Sequence, residues 1–389
     1  MKNRTLLMIP GPIEFDPAVL AALGAPTTGH LAANFIDAFG QALERMRQVF
    51  LSPDGQPVVL AGTGTLAMDS AGVNLVEAGD KVLVINTGYF GDRYGALLER
   101  YGARVTHLRV PPGDRPGLDV VEEALRSDSY KVMTVTHVDT STGVITDVKG
   151  LAALAQRYKV LSVVDGVCSV AGEEVRMSEW GVDVVFTASQ KAVGVPPGLA
   201  LLMVGPRALQ AFLARRTPVS NYYADWTNWL PVMRAYEGRK PAYFATPAVN
   251  LIFALNVSLG QILQEGLPAR IERHVRLGQA CKAGIAALGL GQVPVKPEYA
   301  ANTMTAPRFP PGINGPEFLS RVGKAGVTLA GGLLPPIRSE YFRIGHMGAA
   351  NLGDILATVG AIEMALKESG YAFTPGVGVQ AALASAAAA

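Results

Sequence analysis

Cysteine is almost absent from this chain: its 389 residues include two, Cys168 and Cys281. No CxxC pair can form, which argues against a disulfide scaffold and a cysteine-based zinc site. The five histidines are scattered, with no HExxH. An excess of one charge sign is also missing. Lys and Arg total 34 against 32 Asp and Glu, with no basic block, so a nucleic-acid surface is not expected. No apolar run reaches the ~18 residues needed to cross a bilayer. The start, MKNRTLLMIPGP, offers only a short apolar piece before Pro10, less than a secretory segment needs. A soluble protein of a reducing compartment, most simply cytoplasmic, is the expectation. The final AALASAAAA reads as a frayed helical end, and no internal repeat is evident.

What is present is apolar residue in quantity, 49% hydrophobic against 17% charged. That is enough for a sizeable core and two domains. A helix is expected near 34–50. Short β-rich runs follow at 57–62, 81–86, 103–110, 131–138, 160–166, 183–189 and 199–205. Several are apolar throughout, which suits strands covered on both faces. Helical stretches lie between many of them, as at 65–79, 91–102, 119–127 and 149–159. The alternation predicts a mostly parallel α/β sheet. The last run follows VPPG after a gap too short for a crossover helix, so it is expected to return antiparallel. Residues 220–247 read as irregular and aromatic-rich. A long helical region is expected from near Ala248 past Cys281, then a smaller mixed domain.

Five stretches could carry chemistry. VVLAGTGTLAMD is strand, glycine turn and helix, a place where backbone N–H groups can hold an anion. Gly62, Gly64 and Ala67 also fit a dinucleotide fingerprint, but Asn86 stands where the ribose carboxylate belongs. VLSVVDG ends an apolar strand on Asp165, and DVVFTASQK places Lys191 after the next, 26 positions on. That is about one βαβ step, so both reach one sheet edge. A desolvated lysine can attack a carbonyl, and an aspartate can pair the ring nitrogen of pyridoxal phosphate. In NTGYFGDR, Tyr89 and Phe90 are aromatics that could stack on a planar ring. YFRIGHMG sets Arg343 in an apolar strand, suited to a carboxylate.

Together these stretches resemble class V (fold type I) pyridoxal-phosphate-dependent aminotransferases, especially the alanine–glyoxylate / serine–pyruvate branch. The resemblance runs from PGP through AGTGTLAMD, NTGYFGDR, STGVITD, VDGVCSVAG, SQKAVGVPPG and YFATPAVN to FRIGHMG. It implies a mostly parallel seven-stranded sheet in a large domain (18–255), an N-terminal arm (1–17) and a smaller α+β domain (256–389). It also implies that Lys191 forms the Schiff base and shuttles the proton, and that Asp165 pairs the pyridine nitrogen. Phe90 matches a stacking aromatic, usually Trp. Thr63, Gly64 and Thr65 match a Ser-Gly-His element at the phosphate, with Thr65 departing from His. Gln190 matches a phosphate-side glutamine, Thr140 a serine near the ring's exocyclic oxygen, and Val167 a residue against the ring. Tyr243 and Thr246 match residues that reach the phosphate from a neighbouring subunit, which implies a homodimer. Arg343 matches the arginine that holds the substrate's α-carboxylate. The implied reaction moves an amino group from alanine or serine to glyoxylate or pyruvate. Aspartate, aminoethylphosphonate and phosphoserine aminotransferases stay open as alternatives. Gln190 in place of His argues against a cysteine desulfurase, and Asn86 against a nicotinamide oxidoreductase, which would also leave Lys191 unexplained.

Overall fold

The computed structural model describes residues 5–388. Seven strands form the central sheet: β1 (Gln56–Gly62), β2 (Lys81–Asn86), β3 (Arg104–Arg109), β4 (Val132–Thr136), β5 (Leu161–Asp165), β6 (Val184–Ala188) and β7 (Gly198–Val204). Their order is β1-β7-β6-β5-β4-β2-β3. Only β7 runs against its neighbours, pairing Gly198 with Gly62 on one side and Ala200 with Ala188 on the other. The VPPG turn thus returns the chain antiparallel, as its length required.

Burial follows the residue pattern. β4, β5 and β6 are buried along their whole length, consistent with VMTVT, LSVVD and VVFTA and with helices on both faces. β3 is the edge, with Arg104, Thr106 and Arg109 turned outward or partly so; charge on an edge strand discourages further pairing. The strands β1, β2, β4, β5 and β6 all end at the same edge, the one where open α/β sheets bind ligands.

Two hydrophobic cores are separate. One surrounds the sheet and includes Phe35, Phe186, Trp226 and, from helix Val249–Glu265, Ile252, Leu255 and Ile262. The other includes Leu277, Cys281, Phe318, Phe342 and Ile362. The arm touches both: Ile13 packs in the first core and Met8 in the second, while Leu6–Leu7 pair in parallel with Val327–Thr328.

The helical region expected from near Ala248 past Cys281 is present, and three other expectations are corrected. The helical region after Ala248 is two helices, Val249–Glu265 and Leu267–Ala287, broken at Gly266, where φ is +83° and Pro268 follows. Consequently a boundary at 255/256 falls inside the first of these helices; the packing supports one at Gly266. The segment 220–247 holds a helix, Trp226–Glu237, capped by the Asp225 side chain accepting from Thr227 N–H at 2.8 Å. The alanine-rich tail is not frayed over 377–388: helix Val377–Ala388 buries Ala382 in the second core. Small residues allow that approach. A Cβ on Gly284 would meet Gly378 O at 3.0 Å and Ala382 Cβ at 3.3 Å.

Candidate active site

A cavity of about 210 Å³ opens at the carboxyl edge of the sheet. Its wall brings together Thr63, Gly64, Thr65, Phe90, Thr140, Asp165, Val167, Gln190 and Lys191. Gly11, Met68, Arg93, Thr136 and Val138 complete it.

Lys191 lies in the turn after β6 and is 8% exposed. The turn is held at both ends: Gly194 N–H donates to Lys191 O at 2.8 Å, and Val195 N–H to Ser189 O at 2.9 Å. Lys191 Nζ donates to Pro10 O of the arm. A Cβ on Gly11 would stand 2.5 Å from Lys191 Cδ, and φ there is +94°, so glycine is what lets the arm lie against the lysine. Burial lowers the Lys191 pKa, with Arg343 adding to the fall and Cys168 and Asp165 opposing it.

Asp165 closes β5 and is 3% exposed. Its Oδ1 accepts from Val167 N–H at 3.0 Å. Burial pushes its carboxyl up to about 7, and Asp139 adds to the rise; the Val167 N–H, Lys191 and Arg93 pull the other way. A carboxyl and an amine are therefore both held in a low-polarity site, where each titrates nearer neutrality than in water.

At the other end, helix Gly64–Leu75 begins at the cavity. Its first amides have no intrahelical acceptor, and Thr63 makes no side-chain cap. Packing is tight at Gly64: a Cβ would meet Val167 Cγ2 at 3.0 Å and Ala188 Cβ at 3.3 Å, so a side chain there would push on its neighbours. Arg93 Nη1 donates to Thr65 Oγ1 at 3.1 Å and Nη2 to Tyr89 OH at 3.3 Å. Its guanidinium carbon lies 5.1 Å from the Phe90 ring centre. Gln190 Oε1 is buried without a hydrogen-bond partner among the described residues.

Arg343 stands beside the cavity, on strand Phe342–Gly345. It donates through Nε to Gly331 O at 2.8 Å and through Nη1 to Thr140 O at 3.1 Å. It thus joins the two domains through neutral carbonyls. Among the described residues no carboxylate forms an ion pair with it, and burial lowers its pKa. Tyr243 and Thr246 are exposed and do not line this chain's cavity; Tyr243 packs on His30 with ring centres 5.1 Å apart. Tyr222 is 81% exposed. Tyr223 donates to Ala61 O at 3.4 Å.

Asn86, the residue that weighed against a dinucleotide site, donates to Asp92 Oδ1 at 2.8 Å and lies 3.1 Å from His107 Nδ1. Both cysteines are buried. Among the described residues no His/Cys/Asp/Glu group could hold a metal ion, and no helix is long and apolar enough to cross a membrane.

The family model "Aminotransferase class-V" matches residues 19–333. The chain belongs to the class-V aminotransferase family. The aminotransferase is 40% identical to alanine–glyoxylate aminotransferase 1 of Saccharomyces cerevisiae, with 89% of this chain and 93% of the yeast protein covered. It is 32% identical to the serine–glyoxylate aminotransferase of Arabidopsis thaliana, over 98% and 94% of the two chains. Among solved structures, pyridoxamine–pyruvate aminotransferase from Mesorhizobium loti superposes with a TM-score of 0.93 at 26% identity, covering 99% of this chain and 98% of the other. The aminotransferase therefore shares its fold and reaction class with proteins whose amino donors differ.

Sequence reading missed Arg93, Met68, Thr136 and Val138. Arg93 had a readable signal. It stands three residues after Phe90, one helical turn away once the helix is known to start at Tyr89. Asp225 and Trp226, without a role from sequence, prove structural: Asp225 is the cap described above, and buried Trp226 donates from Nε1 to Ser70 Oγ at 2.9 Å.

Proposed function

We propose that the cavity binds pyridoxal 5'-phosphate and that the protein moves an amino group from a small amino acid, alanine or serine, to a small 2-oxo acid, glyoxylate or pyruvate. The observation that carries this reading is one buried amine and one buried carboxyl, Lys191 and Asp165, in the same cavity as an amide-rich helix start. The chemistry of those donors fits the cofactor. Lys191 suits an aldehyde, Asp165 a ring nitrogen, and Phe90 and Val167 a planar ring. Thr63, Gly64, Thr65 and Gln190 suit a phosphate. When bound, the cofactor supplies an electron sink for the carbanion formed at the amino acid's Cα.

The chain's own residues do the rest. Burial shifts Lys191 toward the neutral, nucleophilic form, so Nζ would be the group that holds an aldehyde. The same Nζ, buried at the cavity wall, would serve as the base that takes the proton from the substrate Cα. Asp165, raised by burial, would be held anionic by an opposite charge at hydrogen-bond range and so would pair a protonated ring nitrogen. Arg343, desolvated and without a carboxylate partner, holds the α-carboxylate of both substrates in a fork. Exposed Tyr243 and Thr246 support a homodimer in which each reaches the neighbour's cavity.

Borohydride reduction of the cofactor-loaded protein, followed by peptide mapping, should leave a pyridoxyl group on Lys191. A label elsewhere, or none, overturns the assignment. A screen of amino donors against glyoxylate and pyruvate then fixes the pair, with alanine or serine expected to lead.

A further inference from the structure

We propose that Arg93 is the cation that neutralises the cofactor's phosphate. This inference rests on the cofactor reading above and deepens it. Among the described residues, two cations line the cavity, Lys191 and Arg93. Lys191 is committed to the aldehyde end, and its Nζ turns to Pro10 O. The residues at the other end, Thr63, Gly64, Thr65 and Gln190, are all neutral.

The placement of Arg93 calls for an anion. Its Nη1 donates to Thr65, the second residue of helix Gly64–Leu75. A helix start carries a partial positive charge, so a guanidinium there is repelled. No carboxylate among the described residues is in ion-pair range to offset this. Both side-chain partners, Thr65 Oγ1 and Tyr89 OH, are neutral. The Tyr89 and Phe90 rings instead fix the guanidinium, at 5.0 and 5.1 Å from its carbon. A dianion between the helix start and Arg93 turns the repulsion into two attractions. Phe90 then has two uses: it faces the ring of the cofactor, and it helps fix the arginine that holds the phosphate.

The test compares two ligands on the full chain freed of cofactor: pyridoxal phosphate, and pyridoxal, which lacks only the phosphate. Dissociation constants come from the absorbance change on binding. Arg93→Gln should weaken pyridoxal phosphate roughly 10- to 100-fold, the worth of a hydrogen bond to a charged group. Affinity for pyridoxal should change less than about twofold, because the lost interaction is with the phosphate alone. Arg93→Lys, which keeps the charge and loses the fork, should fall between the two. Competition by inorganic phosphate against pyridoxal phosphate should also be weaker in Arg93→Gln than in wild type. Equal loss of both ligands in Arg93→Gln and Arg93→Lys would mean that Arg93 only supports the fold, and overturns the inference; unchanged binding of both does the same. A wild-type chain that gives no absorbance change with pyridoxal phosphate overturns the cofactor reading itself, and this inference with it.

Discussion

Lys191 and Asp165 stand on the large domain's sheet, 8% and 3% exposed, at the ends of strands buried along their whole length. Arg343 stands on a four-residue strand of the smaller domain, half-buried, bonded to a carbonyl of each domain. The floor of the site is thus set by a hydrogen-bonded sheet and carries ionisable groups at a cost in stability. The wall is set by a seam between two cores, and its arginine has carbonyl partners, which on the proposed reading leaves it open to a substrate carboxylate. The floor is therefore suited to chemistry that must be held rigid, and the wall to recognition of a carboxylate that comes and goes.

Breaking the floor should have the largest effect. Lys191→Ala removes both the group that binds the aldehyde and the base at Cα, so multiple turnover should fall by about 10³-fold or more. Steady-state transamination measures it, and near-normal turnover would sink the assignment. Asp165→Asn sharpens the comparison, because it should lower turnover about 10²- to 10⁴-fold, an electrostatic effect of the size seen for single preorganised groups, while helping the fold. The sign follows from linkage. In the cofactor-free chain the Asp165 carboxyl sits at about 7, above its ordinary 3.8. The folded chain keeps a proton that the unfolded chain releases between those values, so stability declines as pH rises through that window. The cost is full above it, on the order of 1–4 kcal/mol. Asn carries no such charge. Cofactor-free Asp165→Asn should therefore melt above wild type at pH 8 and close to it at pH 4. A variant that melts below wild type at pH 8 would contradict the buried-charge account.

Breaking the wall is milder. Arg343→Ala should raise KM for both the amino acid and the oxo acid roughly 10- to 100-fold, through loss of a charge-assisted fork. Cofactor spectra should stay normal. Weakened cofactor binding would move Arg343 from the wall to the floor.

The same contrast explains what could be read from the sequence. Asp165 and Lys191 were legible because strand-end residues one βαβ step apart must share an edge, whatever the helices do in detail. The strands buried along their whole length were legible for a related reason: strands covered on both faces are written in continuous apolar runs. Arg93 was not, because the expected helix began at Gly91 and left Phe90 in a turn, so the one-turn spacing from Phe90 to Arg93 shows only once the helix starts at Tyr89. Helix Trp226–Glu237 was masked by its aromatics and by Pro231, although Asp225 before it was a usable cap signal. The break at Gly266 was written in Gly-Leu-Pro, yet apolar periodicity on both sides suggested continuity. Docking of the tail depends on glycines and alanines of two distant segments, which composition alone renders as low complexity.

The smallest effect is expected at the seam itself. Arg273 donates through Nε to Glu265 Oε1 at 2.6 Å, and through Nη1 and Nη2 to Ala350 O and Gly348 O at 3.0 and 3.1 Å. Glu265 also accepts from Arg270 at 2.7 Å, and buried Arg270 reaches Ala192 O, the carbonyl beside Lys191, at 2.7 Å. The loop after Arg343 is thereby tied to the turn that carries Lys191. Burial works to raise the Glu265 carboxyl, but the bonds from Arg273 and Arg270 outweigh it and hold it below its ordinary value of 4.5. A depressed carboxyl stabilises the fold above its unfolded pKa and loses that contribution as pH falls through the folded one. Arg273→Ala should therefore cost about 1–2 kcal/mol at pH 7 and less at pH 3, where wild type has already lost part of the interaction. Thermal melts at the two pH values check this. If the seam positions Arg343, KM for the oxo acid should also rise by a few-fold with kcat nearly unchanged. A fall in kcat with KM constant would instead place the strain at Lys191, on the floor and not the wall.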